Sequence, residues 1–284
     1  MVLALLPGIA CAYTAFLDQF AVNRFDLPNN GALFLDPFED GFEPPSAPDF
    51  LTGGGASYGV FPTPPGFPSG AEDGGRLALD SSIGALVVTG AGDTRRLFRG
   101  TLNTNTDSTN TVLGLKRNHS FLAAGRFDLT SLPAAPSDAF GIELHDALPG
   151  GMISELSQVF VRRTADPGDP NLYITFVEQS PAGGGLAVRG NILFEPPAGA
   201  TQITLFLRHA TPDTDQITAE YRFWDVNGAL SNPIALPGTA TMFDGEMFVR
   251  AAFVVVEVPE PGTYVMLLAG LGILGWVARR RMKG

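Results

Sequence analysis

Gln202-Ile203-Thr204-Leu205-Phe206-Leu207-Arg208 and, a short turn later, Ile217-Thr218-Ala219-Glu220-Tyr221-Arg222-Phe223-Trp224 form the passage that decides the fold. Ile203, Leu205 and Leu207 alternate with Gln202, Thr204 and Arg208. Ile217, Ala219, Tyr221 and Phe223 alternate with Thr218, Glu220, Arg222 and Trp224. Successive side chains on a strand point to opposite faces, so this period of two marks strands with one buried face.

Working outward, the same pattern recurs. Ile174 and Phe176 share a face, opposite Tyr173, Thr175 and Val177. Further strands are expected at 76–79, 83–88, 111–115, 121–127, 139–144, 158–163, 186–194 and 247–257. Turn-forming clusters separate them: Asp166-Pro167-Gly168, Gly183-Gly184-Gly185, Pro197-Ala198-Gly199 and Asp225-Val226-Asn227-Gly228. No central segment carries a 3.6-residue stripe. About ten such strands predict an all-β domain of two packed antiparallel sheets, a β-sandwich over 76–257. Residues 13–75, rich in Pro and Gly but also holding Phe50, Tyr58, Phe61 and Phe67, are expected to be long loops packed on that domain.

The composition narrows the functions available. Of the 284 residues only 17% are charged and 45% are apolar, with 34 Gly and 23 Pro, as short strands and tight turns require. A formal net charge of −11 argues against nucleic acid as a partner, since phosphates need clustered cations. The single cysteine, Cys11, excludes a disulfide framework, and Cys-based zinc sites with it. Met1 to Ala12, apolar and ending Ala10-Cys11-Ala12, reads as a signal peptide cut after Ala12 by signal peptidase of the export machinery. A buried strand, or lipidation of Cys11, are the alternatives there.

The other end is ordered in three parts. Pro259-Glu260-Pro261 comes first, then the apolar run from Thr263 to Ala278, then Arg279, Arg280, Arg281 and Lys283. As a helix the run spans about 24 Å, slightly short of a hydrocarbon core of about 30 Å. Snorkelling Arg and Lys side chains cover the shortfall. The basic cluster would stay in the cytoplasm, leaving the domain outside the inner membrane on the periplasmic side. Residues 258–284 are thus read as a single C-terminal transmembrane helix with its flanks. This ordered triplet resembles the PEP-CTERM sorting domain of Gram-negative bacteria. The resemblance implies recognition by exosortase, cleavage near Pro259–Pro261, and release or transfer of the domain to the surface of a cell that makes exopolysaccharide and biofilm.

The strand order resembles the concanavalin A-like lectin/glucanase jelly roll, starting near residue 30. The matching segments are Phe121 to Leu129, Ala139 to Asp146, Ile203 to Arg208 and Ile217 to Tyr221. Glycanases of that fold carry paired carboxylates on one strand as Glu-x-Asp-x-x-Glu, a run absent here. The nearest cluster is Glu143, His145 and Asp146, read either as ligand-facing or as a solvated strand end. Trp224, flanked by polar residues on its own face, reads as a sugar-stacking platform or as a buried ring. Oxygen ligands make calcium the favoured metal. Its candidate loops are Asp166, Asp169 and Asn171, and Asp225 with Asn227, each read either as a calcium loop or as a plain turn, which Asp, Asn and Gly favour for local reasons. The expected protein is therefore an exported, non-catalytic surface or matrix component associated with exopolysaccharide. A secreted polysaccharide-degrading enzyme is the alternative.

Overall fold

The computed structural model describes residues 13–25, 32–38, 57–61, 75–80, 85–88, 94–103, 115–136, 138–146, 153, 155–164, 166, 168–179, 186–243 and 248–257. In chain order its strands are β1 (Thr14–Arg24), β2 (Ala32–Asp36), β3 (Ser57–Phe61), β4 (Leu77–Asp80), β5 (Ala85–Val88), β6 (Thr94–Asn103), β7 (Leu115–Lys116), β8 (Phe121–Asp128), β9 (Ala139–His145), β10 (Leu156–Arg163), β11 (Leu172–Gln179), β12 (Ala187–Leu193), β13 (Gln202–His209), β14 (Gln216–Asp225), β15 (Gly228–Ala229), β16 (Ile234–Ala235), β17 (Ala240–Thr241) and β18 (Phe248–Glu257). No helix occurs among the described residues. The expected transmembrane helix and the Ala12 cleavage point lie outside them.

The strands form two antiparallel sheets. The first runs β15-β14-β13-β8-β1-β2, with β4 also along β1 and β16 and β17 along β14. The second runs β12-β11-β10-β9-β18-β6-β3, with β5 along β6 and β7 along β18. Aromatic pairs lock one sheet to the other. The Phe127 and Phe140 rings lie 4.7 Å apart, and Phe20 meets Phe253 edge-on at 5.5 Å. Each ring buried this way contributes about 2–3 kcal/mol. Gly100 lies opposite Phe253 in the ladder, and a Cβ there would fall 2.1 Å from the ring. Glycine is needed at that position to seat the ring.

The alternation that defined β13 and β14 is realised. Ile203, Leu205, Leu207, Ile217 and Ala219 are fully buried, whereas Arg208, Glu220, Arg222 and Trp224 keep partial exposure. Several segments depart from the sequence reading. Ala32–Asp36 and Ser57–Phe61, placed among the N-terminal loops, are strands paired with β1 and β6, so the sandwich includes residues well before 76. Thr14–Arg24, placed among the N-terminal loops, is a strand flanked by β8 and β2. Its buried residues are Ala15 and Leu17, then Phe20, Val22 and Arg24. A register shift between Leu17 and Gln19 moves the buried set from odd to even positions, which hides the period in sequence. Thr94–Asn103, given no strand, pairs with the last strand β18. Its arginines masked an alternation of Phe98, Gly100 and Leu102.

Candidate functional site

The central strands of the second sheet are buried on both faces. β9 is buried at all seven positions. Phe140, Ile142 and Leu144 face the core, and Glu143 and His145 occupy the opposite face. Glu143 is completely removed from solvent, its Oε1 in an ion pair and its Oε2 hydrogen-bonded. Its Oε1 lies 2.8 Å from Arg99 Nε, while its Oε2 accepts from Arg99 Nη2 at 3.2 Å and from Gln158 Nε2. Ala252 stands between Thr101 and Glu143 on the intervening strand β18, and this small side chain lets Arg99 and Glu143 meet across it. Burying such a pair costs several kcal/mol per ion, which the mutual attraction and the added amide bond offset.

His145 lies one same-face position along from Glu143, 2% exposed, with Nε2 3.1 Å from Thr101 Oγ1 and no partner at Nδ1. Burial pushes its pKa down to about 4. The attraction of Glu143 opposes that shift, and the charges of Arg99 and Arg250 reinforce it. The imidazole is therefore neutral near pH 7. Asp146 follows the end of β9, its N–H donating to the Glu155 carbonyl at 3.2 Å. Sequence reasoning grouped Glu143 and His145 correctly on one face. It missed Arg99 and Thr101, which come from the strand it did not find, and Gln158 on β10. A carboxylate fixed by a guanidinium and an amide is suited to holding strands together. For Glu143 and His145 both readings, ligand-facing and solvated strand end, are thus corrected to a sealed polar ladder, while Asp146 keeps partial exposure.

The outer face of the first sheet is open. Trp224 Nε1 donates to Thr204 Oγ1 at 2.8 Å, which fixes the indole across β13. The Arg126 guanidinium lies 4.1 Å from the ring centroid and that of Arg222 5.5 Å. Guanidinium stacking on indole is favourable because the ring face is negative. The Trp224 face that Arg126 covers is closed to a sugar. Nearby, Asp18 accepts from Gln202 Nε2 at 2.6 Å. Burial pushes the Asp18 carboxyl up to about 6, against that hydrogen bond, with Asp128 adding to the rise and Arg76 and Arg126 opposing it.

The two calcium loops are local turns. Asp166 Oδ1 accepts from Gly168 N at 2.8 Å. Asp169 Oδ1 accepts from Asn171 N and Nδ2 at 2.9 and 2.7 Å, and its Oδ2 from the Tyr173 hydroxyl at 2.7 Å. The Tyr173 bond, before the others, holds the Asp169 carboxyl below the usual range. Asp225 Oδ1 accepts from Asn227 N at 2.7 Å in the β14–β15 hairpin, where Gly228 takes φ +138°. Side-chain oxygens committed to their own backbone close Asx turns. Among the described residues, no three His, Cys, Asp or Glu side chains come together as a metal set.

The tail residues Pro259, Glu260, Pro261, Arg279, Arg280, Arg281 and Lys283 lie outside the described residues. Residues 257–281 match the family model of the PEP-CTERM protein-sorting motif. The motif marks an exported protein targeted to exosortase, membrane-anchored first and at the surface afterwards. The match starts at Glu257, the last residue of β18. No curated protein and no solved structure matches the chain, so nothing found supports the concanavalin A-like resemblance.

Proposed function

We propose that this chain is a surface or extracellular-matrix protein whose sandwich is a non-catalytic module associated with exopolysaccharide, tethered by its tail until exosortase cuts it. The observation that carries the reading is the junction between fold and motif. β18 is an interior strand, flanked by β9 and β6, and the sorting motif begins at its last residue. Every described strand lies upstream of Pro259–Pro261, so cleavage there would leave both sheets whole. From Glu257 to Pro261 the extended chain reaches at most about 14 Å. The protease would therefore work close against the folded domain.

The sealed ladder favours a non-catalytic role over hydrolysis. Glycoside hydrolysis needs one carboxyl group to deliver a proton and a second to reach the sugar. Glu143, the candidate for such work, is closed off between Arg99 and Gln158.

The test is processing in the native host. P259A/E260A should leave a longer, membrane-bound form, and replacing Arg279, Arg280 and Arg281 by Gln should disturb orientation and lower the yield of mature protein. Normal release of both variants would overturn the sorting reading. Co-sedimentation of the released wild-type protein with the host's own exopolysaccharide checks the second half of the proposal. A protein that stays entirely in the supernatant would overturn that half alone.

A further inference from the structure

We propose that Arg126, Trp224 and Arg222 form a binding site for the carboxylate-bearing sugar units of an acidic polysaccharide. The inference deepens the exopolysaccharide reading above and rests on it. Arg76, Arg99, Arg117, Arg189 and Arg208 each lie within 4.0 Å of a carboxylate oxygen. Arg126 and Arg222 make no such ion pair among the described residues, and the buried Nε of each has no acceptor. Two guanidinium groups without a carboxylate ion pair thus converge on one indole, at 4.1 and 5.5 Å, with the Asp18 charge acting on Arg126 from further off.

The nearby carboxylates are engaged elsewhere. Asp18 is held by Gln202, and Asp128 lies 3.7 Å from Arg76. Burial disfavours the Arg126 charge, Asp18 opposes that effect and Arg222 adds to it, and an anion seated beside the guanidinium would stabilise it. Guanidinium forks bind carboxylates in bidentate fashion, and the Trp224–Thr204 bond fixes the ring that aligns them.

The face around the site suits a polymer better than an isolated anion. Phe206 is half-buried on the same outer face between Gln202 and Arg208, and Phe16 lies half-buried there under the Arg76 guanidinium, 5.3 Å from the ring centroid. Apolar rings set among donors and acceptors match a pyranose, which has an apolar C–H face and a hydroxyl rim. A partly open sheet face also accommodates an extended chain. The carboxylate of a uronic acid unit would sit at the arginine pair while neighbouring units lie along the sheet.

The experiment uses the full chain in detergent micelles, with polygalacturonate and neutral dextran as probes in parallel. Saturable binding of polygalacturonate and none of dextran is expected. R126Q/R222Q should weaken polygalacturonate binding about tenfold or more, in line with the loss of charge-assisted bonds. R222Q alone, which retains the Arg126–Trp224 stack, should weaken it about threefold, so the test survives if the double variant fails to fold. R208Q, on the same face but paired to Glu220, should change affinity by less than about twofold. Unchanged affinity in R222Q, or equal binding of both glycans, would overturn the acidic-sugar site and leave the exopolysaccharide reading standing. Binding of neither glycan would overturn the site as well. Tail processing, scored separately in R126Q/R222Q cells, should be normal and tells failure of this site from failure of sorting.

Discussion

The outer faces of the two sheets are built from similar side chains and behave in opposite ways. The second sheet sets Glu143, His145, Gln158, Thr101 and Arg99 on its outer face and excludes water from them almost entirely. The first sets Asp18, Arg126, Gln202, Arg222 and Trp224 on its outer face and leaves them half open. In the sealed face the opposite charges meet in pairs, because an unpaired charge there would cost several kcal/mol. On the open face water screens the charges, so two arginines can share one indole without an ion pair, with Asp18 acting on Arg126 only at longer range. Polarity alone therefore says little about exposure. The pairing of the charges says more.

The comparison breaks most sharply at Glu143. Glu143→Ala leaves the Arg99 charge enclosed and should destabilise the fold by about 3–5 kcal/mol in urea unfolding. E143L/R99M should recover most of that loss. A loss under about 1 kcal/mol for Glu143→Ala would mean that the ladder is hydrated after all.

The next contrast is in pH. His145 is held near 4 in the fold against 6.5 when unfolded. Above about 6.5 both states are neutral and stability is complete. As pH falls from about 6.5 to about 4 the unfolded chain takes up a proton that the native one refuses, and on the order of 2–3 kcal/mol is lost. Asp18 has the opposite sign. Its native value of about 6 exceeds the unfolded 3.8, so it costs stability at neutral pH. That cost is relieved as pH falls through 6 toward 3.8. Stability curves of H145Q and D18N should separate the two, H145Q flattening the acid loss and D18N raising stability at pH 7. Screening makes the Asp18 effect the smaller one. Identical pH profiles for wild type and H145Q would remove the histidine from the account.

Smaller effects test the open face and the turns. Trp224→Phe deletes the bond to Thr204 and weakens the arginine stack, and should cost about 1 kcal/mol. Calcium should leave the melting temperature unchanged in both wild type and D169N. A calcium-dependent rise seen only in wild type would show that the Asp169 turn opens to hold the ion.

Much of the fold could be read because one-sided burial imposes a local period. β8, β13 and β14 show it plainly. β1 concealed it behind a register shift at Leu17–Gln19, and β6 behind its arginines. The same gap explains the site. Glu143 and His145 could be placed on one face from their spacing, but their partners Arg99 and Thr101 lie 44 residues away on a strand that composition disguised. Trp224 was recognisable as a polar-flanked ring. Its cover, Arg126, comes from β8, and no local pattern joins them.

The sequence by itself determined the strand class of the domain and the sorting tail, since both rest on local order: apolar alternation in one, and Pro-Glu-Pro, an apolar run and a basic cluster in the other. Only the tertiary structure decided which polar face is sealed, which arginine forms an ion pair and which does not. Those outcomes depend on strands brought together from distant parts of the chain, and on how much water the assembled sheets admit.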